Sequence, residues 1–421
     1  MKVLGLLMTF MAAMPVLAVQ IDVDGTVCSL PDAVNAASNN TAVGGCAAGG
    51  SEADVLMLVP QMTYVLTEPH DISISYGLRV NSGELIIEGR GAVVERDLNA
   101  PEFGMIQIDG SAQVTINDLT IKNGHMPSNF GGGVQVVGRS VVTTFNQVNV
   151  VDNMGMGMLF FAGGSHATQH TINNSRIGNN SSLNTIDPSF GGGISVYNSH
   201  VLINNTTIDN NNSLTSGGGL AIGQAEVTLV NSTISGNYAD QNGGGILVRD
   251  DNNVVKIFNS TVVNNQAMNT GGGLDLSNDN NPTNNSYFKM YASIVAGNTA
   301  GIDADQVNGP VNGGMVLDGY NLMGNGGDAG VVNVNLGASD LVPSEMLSGI
   351  VDTLTAETNY FKRHPLVPNS PAIDFVPGTC ISGFDQVGHA RPFDGDNNGI
   401  FACDSGSIEF IPDLIFIHGF D

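Results

Sequence analysis

Near the C-terminal end of the chain, Asp394-Gly395-Asp396-Asn397-Asn398-Gly399 sets side-chain oxygens at alternate positions of what must be a tight turn. Loops of the D-x-D-x-N-G type converge hard oxygen donors on one point and hold Ca²⁺, with the last glycine permitting the sharp bend. The Ile400 carbonyl is the next expected ligand. The twelfth position, where a bidentate Glu completes a helix-flanked calcium loop, is Ser405, so Asp404 is expected to substitute from one position earlier. The expected set is therefore Asp394, Asp396, Asn398, Ile400 and Asp404, and a Ca²⁺ held there is expected to be structural. The alternative is an acidic, glycine-rich turn without metal.

The other polar groups suggest less chemistry. Arg249 with Asp250 and Asp251, and Asp303 with Asp305, read as solvated turns. His125, His166, His170 and His200 are scattered, and only His166 and His170 lie close enough in sequence to share a metal. Elimination from a uronate needs an Arg or Lys base with acids or Ca²⁺ nearby, and glycoside hydrolysis needs grouped carboxylates. No such set is found in the row expected to face outward, Gln135, Ser195, Ala221, Leu247, Asp275. No catalytic residue is therefore expected. With no Trp and 8 Tyr, aromatic platforms for sugar faces are also sparse.

That row belongs to a repeat. Triple glycines followed by an aliphatic residue recur at Gly131 to Val134, Gly191 to Ile194, Gly217 to Leu220, Gly243 to Ile246 and Gly271 to Leu274. Between them run Asn174-Ser175-Arg176-Ile177, Asn205-Thr206-Thr207-Ile208, Asn231-Ser232-Thr233-Ile234 and Asn259-Ser260-Thr261-Val262, each ending at another Asn three residues on. The terminal asparagines Asn153, Asn180, Asn211, Asn237, Asn265 and Asn298 are spaced by 27, 31, 26, 28 and 33 residues. This is a solenoid period with loops of variable length. Aliphatic pairs such as Val134 and Val136, or Leu220 and Ile222, alternate as in strands, and no stretch suits an amphipathic helix. Three short strands per rung are expected, stacked in parallel at roughly 4.8 Å. Ile177, Ile208, Ile234 and Val262 should point inward. Asn tolerates the left-handed conformation, and its amide can bond the one stacked above it. The Asn-x-Ser/Thr triplets are therefore read as structural and not as glycosylation acceptors.

Composition sets the outer bounds. Acidic residues outnumber basic ones 39 to 13, a formal charge of −26, which repels nucleic acid and anionic membrane faces. Lys2, the apolar run Val3 to Leu17 and the small residues before Ala18 read as a signal peptide over 1–18. No later stretch is long enough for a transmembrane helix. The chain is expected to be secreted, extracellular or at the outer surface of a bacterium. Four cysteines in an oxidising compartment leave three pairings open, of which the local ones, Cys28 with Cys46 and Cys380 with Cys403, are expected. Ser29-Leu30-Pro31-Asp32 before Ala33, Val34, Ala36 and Ala37 reads as a capped short helix that could lid the first rung. The expected divisions are an N-terminal cap over 19–60, a β-helix over 61–340, a C-terminal closure over 341–411 and a tail over 412–421.

Cys28-Ser29-Leu30-Pro31-Asp32-Ala33-Val34, continuing through Ala36-Ala37-Ser38-Asn39 to Gly44-Gly45-Cys46, resembles the "CSLREA" motif of exported β-helix proteins, with Pro31 and Asp32 in place of Arg and Glu. Gly319-Tyr320-Asn321-Leu322-Met323-Gly324, Ser370-Pro371-Ala372-Ile373-Asp374, Asp385-Gln386, Arg391-Pro392 and Asp404-Ser405-Gly406-Ser407-Ile408-Glu409 are similar to the end of choice-of-anchor Q domain proteins. There the family usually has Ile and Ala at positions 405 and 407. The triple-glycine rungs resemble polymorphic outer-membrane protein repeats. Together these resemblances imply an all-β, single-stranded right-handed parallel β-helix of the pectin-lyase-like kind. Ile415-Phe416-Ile417-His418-Gly419-Phe420-Asp421 looks like a tail seen on exported proteobacterial proteins, or else a final apolar strand. The expected function is non-enzymatic: adhesion, matrix contact or envelope structure, with an extracellular polysaccharide or surface protein as partner. The alternative is a polysaccharide lyase or glycoside hydrolase, which rests on fold analogy.

Overall fold

Alternating aliphatic residues make each repeat into strands that pair only with the equivalent strands of the rungs before and after. The result, in the computed structural model, is an all-β parallel solenoid of about nine turns. The structure describes residues 18–70, 75–126, 130–163, 169–182, 191–276, 286–310, 315–356 and 360–412. The segment up to residue 17 that reads as a signal peptide, His166 and the tail from residue 413 lie outside the described residues.

A representative rung has four strands, not the expected three. Glu226–Val230 forms a front strand and Thr233–Ser235 a flank strand; Tyr238–Ala239 is a short strand and Ile246–Arg249 follows the triple glycine. Front and flank strands belong to one 17-stranded sheet, because the corner between them is a single left-handed residue, Asn231 at φ 48°. In the earlier rungs the two run on as one strand, as in Gln113–Lys122. The strands after the glycines form a separate 10-stranded sheet, and the short strands a 5-stranded one.

Two polar ladders lock the corners. Asn153, Asn180, Asn211, Asn237 and Asn265 are buried, and each Nδ2 donates to the Oδ1 of the next rung at 2.9–3.0 Å. The series ends where Asn298 Nδ2 donates to Gln306 Oε1 at 2.7 Å. The structure divides what was expected of one residue between two. The ladder asparagine bonds, while the left-handed conformation falls on the residue before it: Asp152, Asn179, Asn210, Gly236, Asn264 and Gly297. At the opposite corner a hydroxyl ladder runs through Ser175, Thr206, Ser232, Ser260 and Ser293, each hydroxyl accepting the backbone N–H one rung earlier. The sequence reading missed this second ladder, although its residues stand in every triplet.

The inward residues Ile177, Ile208, Ile234 and Val262 are fully buried and directly in register. The parallel ladder reaches back to Val19–Val23, which pairs with Asp54–Leu58, so strands already run through the segment read as a cap. Between those two strands, helix α1 (Leu30–Asn39) is inserted, capped by Ser29 and ended by left-handed Asn40. Its buried Leu30, Ala33, Val34, Ala36 and Ala37 join the core of the first rungs, where they plug the open end. Both local disulfides are formed, Cys28 to Cys46 and Cys380 to Cys403.

At the other end, Leu341 pairs with Leu322 of the last rung. The chain then doubles back along the flank. Lys362 donates from its backbone N–H to Thr207 and from Nζ to Asp209; His364 bonds Ser235, Gln386 accepts from Thr233, and the Ser407 N–H donates to Thr261. A second apolar cluster joins Val263, Ile294, Ala296 and Leu322 to Ile350, Val351, Leu366 and Ala372. This strap therefore covers the flank of the later rungs as well as the end.

Candidate functional site on the front face

With the flank strapped, the remaining faces decide where a ligand can touch the solenoid. The row expected to look outward, Gln135, Ser195, Ala221, Leu247 and Asp275, is buried throughout. The glycine turn before each strand folds over it: Gly191 N–H donates to Ser195 Oγ at 2.7 Å, and a Cβ at Gly243 would meet Leu247 Cβ at 2.9 Å. Gly243 has φ +66° and can approach that closely because it has no side chain. The absence of a catalytic set in that row therefore says nothing about the exposed surface.

The exposed rows are on the front strands. In register along the solenoid, one row reads Thr115, Thr144, Thr171, Leu202, Thr228, Lys256, Lys289, and its neighbour reads Asn117, Asn146, Asn173, Asn204, Val230, Phe258, Tyr291. The first four asparagines form a surface amide ladder at 2.8–3.0 Å that starts on Glu88. Over the last rungs the face changes character. Lys256 and Lys289 occupy adjacent rungs in a chain with 13 basic residues. Lys256 pairs with Glu226 at 2.9 Å, and His200 lies 4.0 Å from the other Glu226 oxygen. The Lys289 ammonium sits 5.9 Å from the Phe258 ring centroid, and Tyr287 is half exposed. These lysines and rings were not singled out from sequence; the signal was there in the alternation of the front strands Val254–Phe258 and Tyr287–Tyr291.

The rings continue toward the C-terminal segment. Tyr291 meets Tyr320 edge-on at 6.0 Å, and Tyr320 meets Phe375 edge-on at 6.1 Å. Tyr320 and Phe375 then line a cavity of about 450 Å³ with Ser339, Asp374, Asn398 and Phe401.

The acidic loop borders this cavity. Carboxylate oxygens of Asp394, Asp396 and Asp374 lie within 4.8 Å of one another. Asp394 accepts the N–H groups of Asn398 and Gly399, Asp396 accepts that of Asn398, and Asn398 Oδ1 accepts that of Ile400. Asp404 is not in this group. It is buried, and its oxygens are occupied by the N–H groups of Asp374 and Phe410 at 2.7 and 2.5 Å. Asp374 occupies the place expected for Asp404. One Asp374 oxygen accepts Asp396 N–H, while the other is buried without a donor. Burial pushes its carboxyl above the usual range, and Asp396 and Asp394 add to that. Behind the loop, Arg391 pairs with Glu409 at 3.0 Å, both side chains fully buried. Asp385 lies in the same network and accepts the Glu409 N–H.

The remaining candidates are structural. His170 is buried against the Phe160 ring with Nδ1 2.9 Å from Thr143 Oγ1, and burial lowers its pKa to about 4. Asp303 and Asp305 accept backbone N–H groups within their own turn, and Arg249 ends a strand at left-handed Asp250.

A family model described as a right-handed beta helix region matches residues 104–322. No curated protein matches the sequence. Among solved structures, the crystal structure of pectate lyase Pel9A is similar at 14% identity and a TM-score of 0.46, over 85% of this chain and 88% of that one.

Proposed function

This chain belongs to the right-handed β-helix region family, and from that premise we propose that it is a non-enzymatic extracellular scaffold whose front face holds an extended polysaccharide along the solenoid axis. The observation that carries the reading is the composition of that face: rows of Thr and Asn give way, on consecutive rungs, to Lys256, Lys289, Phe258 and Tyr291, with Tyr287 beside them in the row of Val254. Hydroxyls and amides suit sugar hydroxyls, and rings suit the apolar faces of sugars. A repeating surface suits a repeating ligand, because each rung offers the same contact again. Two disulfides support an oxidising location. Among the described residues no helix is long and apolar enough to cross a membrane.

Catalysis is less well supported. From His200 to Tyr291 the front rows carry one carboxylate, Glu226, and it is paired with Lys256. A hydrolase needs two carboxylates across the bond, and these rows offer one. Affinity electrophoresis against a panel of soluble polysaccharides tests the reading. At least one polymer should retard the protein, and the double variant Lys289→Ala, Tyr287→Ala should lose most of that retardation. New reducing or unsaturated chain ends on prolonged incubation, or no retardation by any polymer, would refute it.

We also propose that Asp374, Asp394 and Asp396, with Asn398 and the Ile400 carbonyl, hold a structural Ca²⁺. The fit rests on an all-oxygen donor set and on the buried Asp374 oxygen that lacks a donor. A cation there would offset two of the three clustered negative charges and tie the loop to the strap. Binding to the folded state at about a hundred times Kd adds roughly 2.7 kcal/mol. The melting midpoint should therefore fall when calcium is replaced by chelator, and Asp394→Asn should abolish the difference. Equal midpoints with no heat of calcium binding at millimolar concentration would remove the site.

A further inference from the structure

The cavity at the end of the ring series has the build of a terminal subsite. Its volume of about 450 Å³ is in the range of small-ligand pockets. Tyr320 and Phe375 form one wall, Phe401 stands 65% exposed at the rim, and Ser339, Asp374 and Asn398 supply polar atoms. Ile400 is equally exposed beside it, at 66%. Tyr320, which lines the cavity, is in edge-on contact with Tyr291 at the end of a front strand. No Lys or Arg lines it, and the carboxylates of Asp394 and Asp396 stand next to Asp374. With one negative charge in excess of a bound Ca²⁺ and no basic side chain, this lining repels a uronate or sulfated sugar and suits an uncharged one, with hydroxyls for Ser339 and an apolar face to lay on a ring.

We propose that this pocket receives the terminal residue of an uncharged glycan chain. The proposal rests on the front-face reading above and adds to it a direction and a chain end: the polymer runs along the face and finishes at the strap. The lysines contact the body of the chain, and the pocket holds its tip.

Calorimetry in calcium-containing buffer, with linear tetrasaccharides of glucose, mannose, N-acetylglucosamine and a uronic acid as probes, tests it. One neutral tetrasaccharide should bind the wild type better than the uronate does. Phe401→Ala, at an exposed position, should weaken that binding about tenfold, the scale of one lost ring contact. Lys289→Ala should reduce retention of the polymer. An unchanged melting midpoint of Phe401→Ala establishes that folding is intact. Polymer retention together with tetrasaccharide affinities indifferent to Phe401→Ala, or a preference for the uronate, overturns the pocket and leaves the front face standing. Tetrasaccharide binding that depends on Phe401, without retention of any polymer, does the reverse. Binding of no probe at all overturns both.

Discussion

Ile234→Ala is expected to destabilise the protein by about 2–5 kcal/mol, the range for emptying a fully buried aliphatic site that cannot collapse. Ile234 is at 0% exposure, between Ile208 and Val262 in the stack. Neighbouring rungs are held at strand spacing by backbone bonds and by the two corner ladders, so the cavity has little freedom to close. Chemical denaturation of the two proteins measures the difference. A loss well under 1 kcal/mol would mean that the stack is looser than its register implies.

The second large effect is a dependence on pH carried by Glu409. Burial raises its pKa to about 7, against an ordinary 4.5, although Arg391 and two backbone N–H groups pull it down. Asp404 beside it is likewise raised, by burial and by Glu409 itself. One guanidinium thus faces two buried carboxylates, with Asp385 as a third acid nearby, so a proton is retained. A raised folded-state pKa gives stability that is complete below about 4.5 and is lost as pH rises through about 7. The shift corresponds to roughly 3 kcal/mol. Buried His170 and His364, with lowered pKa values, act in the opposite sense and lose stability as pH falls below 6.5. The comparison must therefore be differential. The stability of wild type relative to Glu409→Gln should drop by about 3 kcal/mol between pH 4.5 and 8. A difference that stays constant over that range would show that the pair is ionised throughout.

The solenoid could be read from the sequence because its signals repeat. Six ladder asparagines, five triple glycines and the aliphatic alternation each recur once per rung, so one rung's chemistry is read several times over. The cysteines were legible for a different reason: both partners of each pair lie close in sequence, 18 and 23 residues apart. What failed was anything decided by one nonrepeating contact. The row after the glycines was taken as exposed because strand alternation says which side residues face, and not what later folds over that side. Asp404 was placed with the acidic loop by its position in sequence, whereas Asp374, distant in sequence, is the carboxylate that lies beside Asp394 and Asp396. The strap's return along the flank has no period to betray it, since Lys362, His364, Gln386 and Ser407 each find a different partner.

The Asn153 to Gln306 ladder has one further property. From Asn153 to Asn298 every ladder amide points the same way, its Nδ2 donating to the later rung and its Oδ1 facing the earlier one, with Asn153 Oδ1 accepting Gly124 N–H at the start; Gln306 closes the row by turning its Nε2 back to the Asn298 carbonyl. Aligned amide dipoles sum, as they do along a helix. The solenoid is thus electrically asymmetric along its axis, negative toward its first rungs and positive where the row stops at Gln306. Two of the chain's acids, Asp303 and Asp305, lie within three residues of Gln306 in sequence, and theirs is the sign of charge that a positive terminus favours. A rung grafted into this protein would have to keep the same sense, because a reversed amide would set donor against donor and break the row in two.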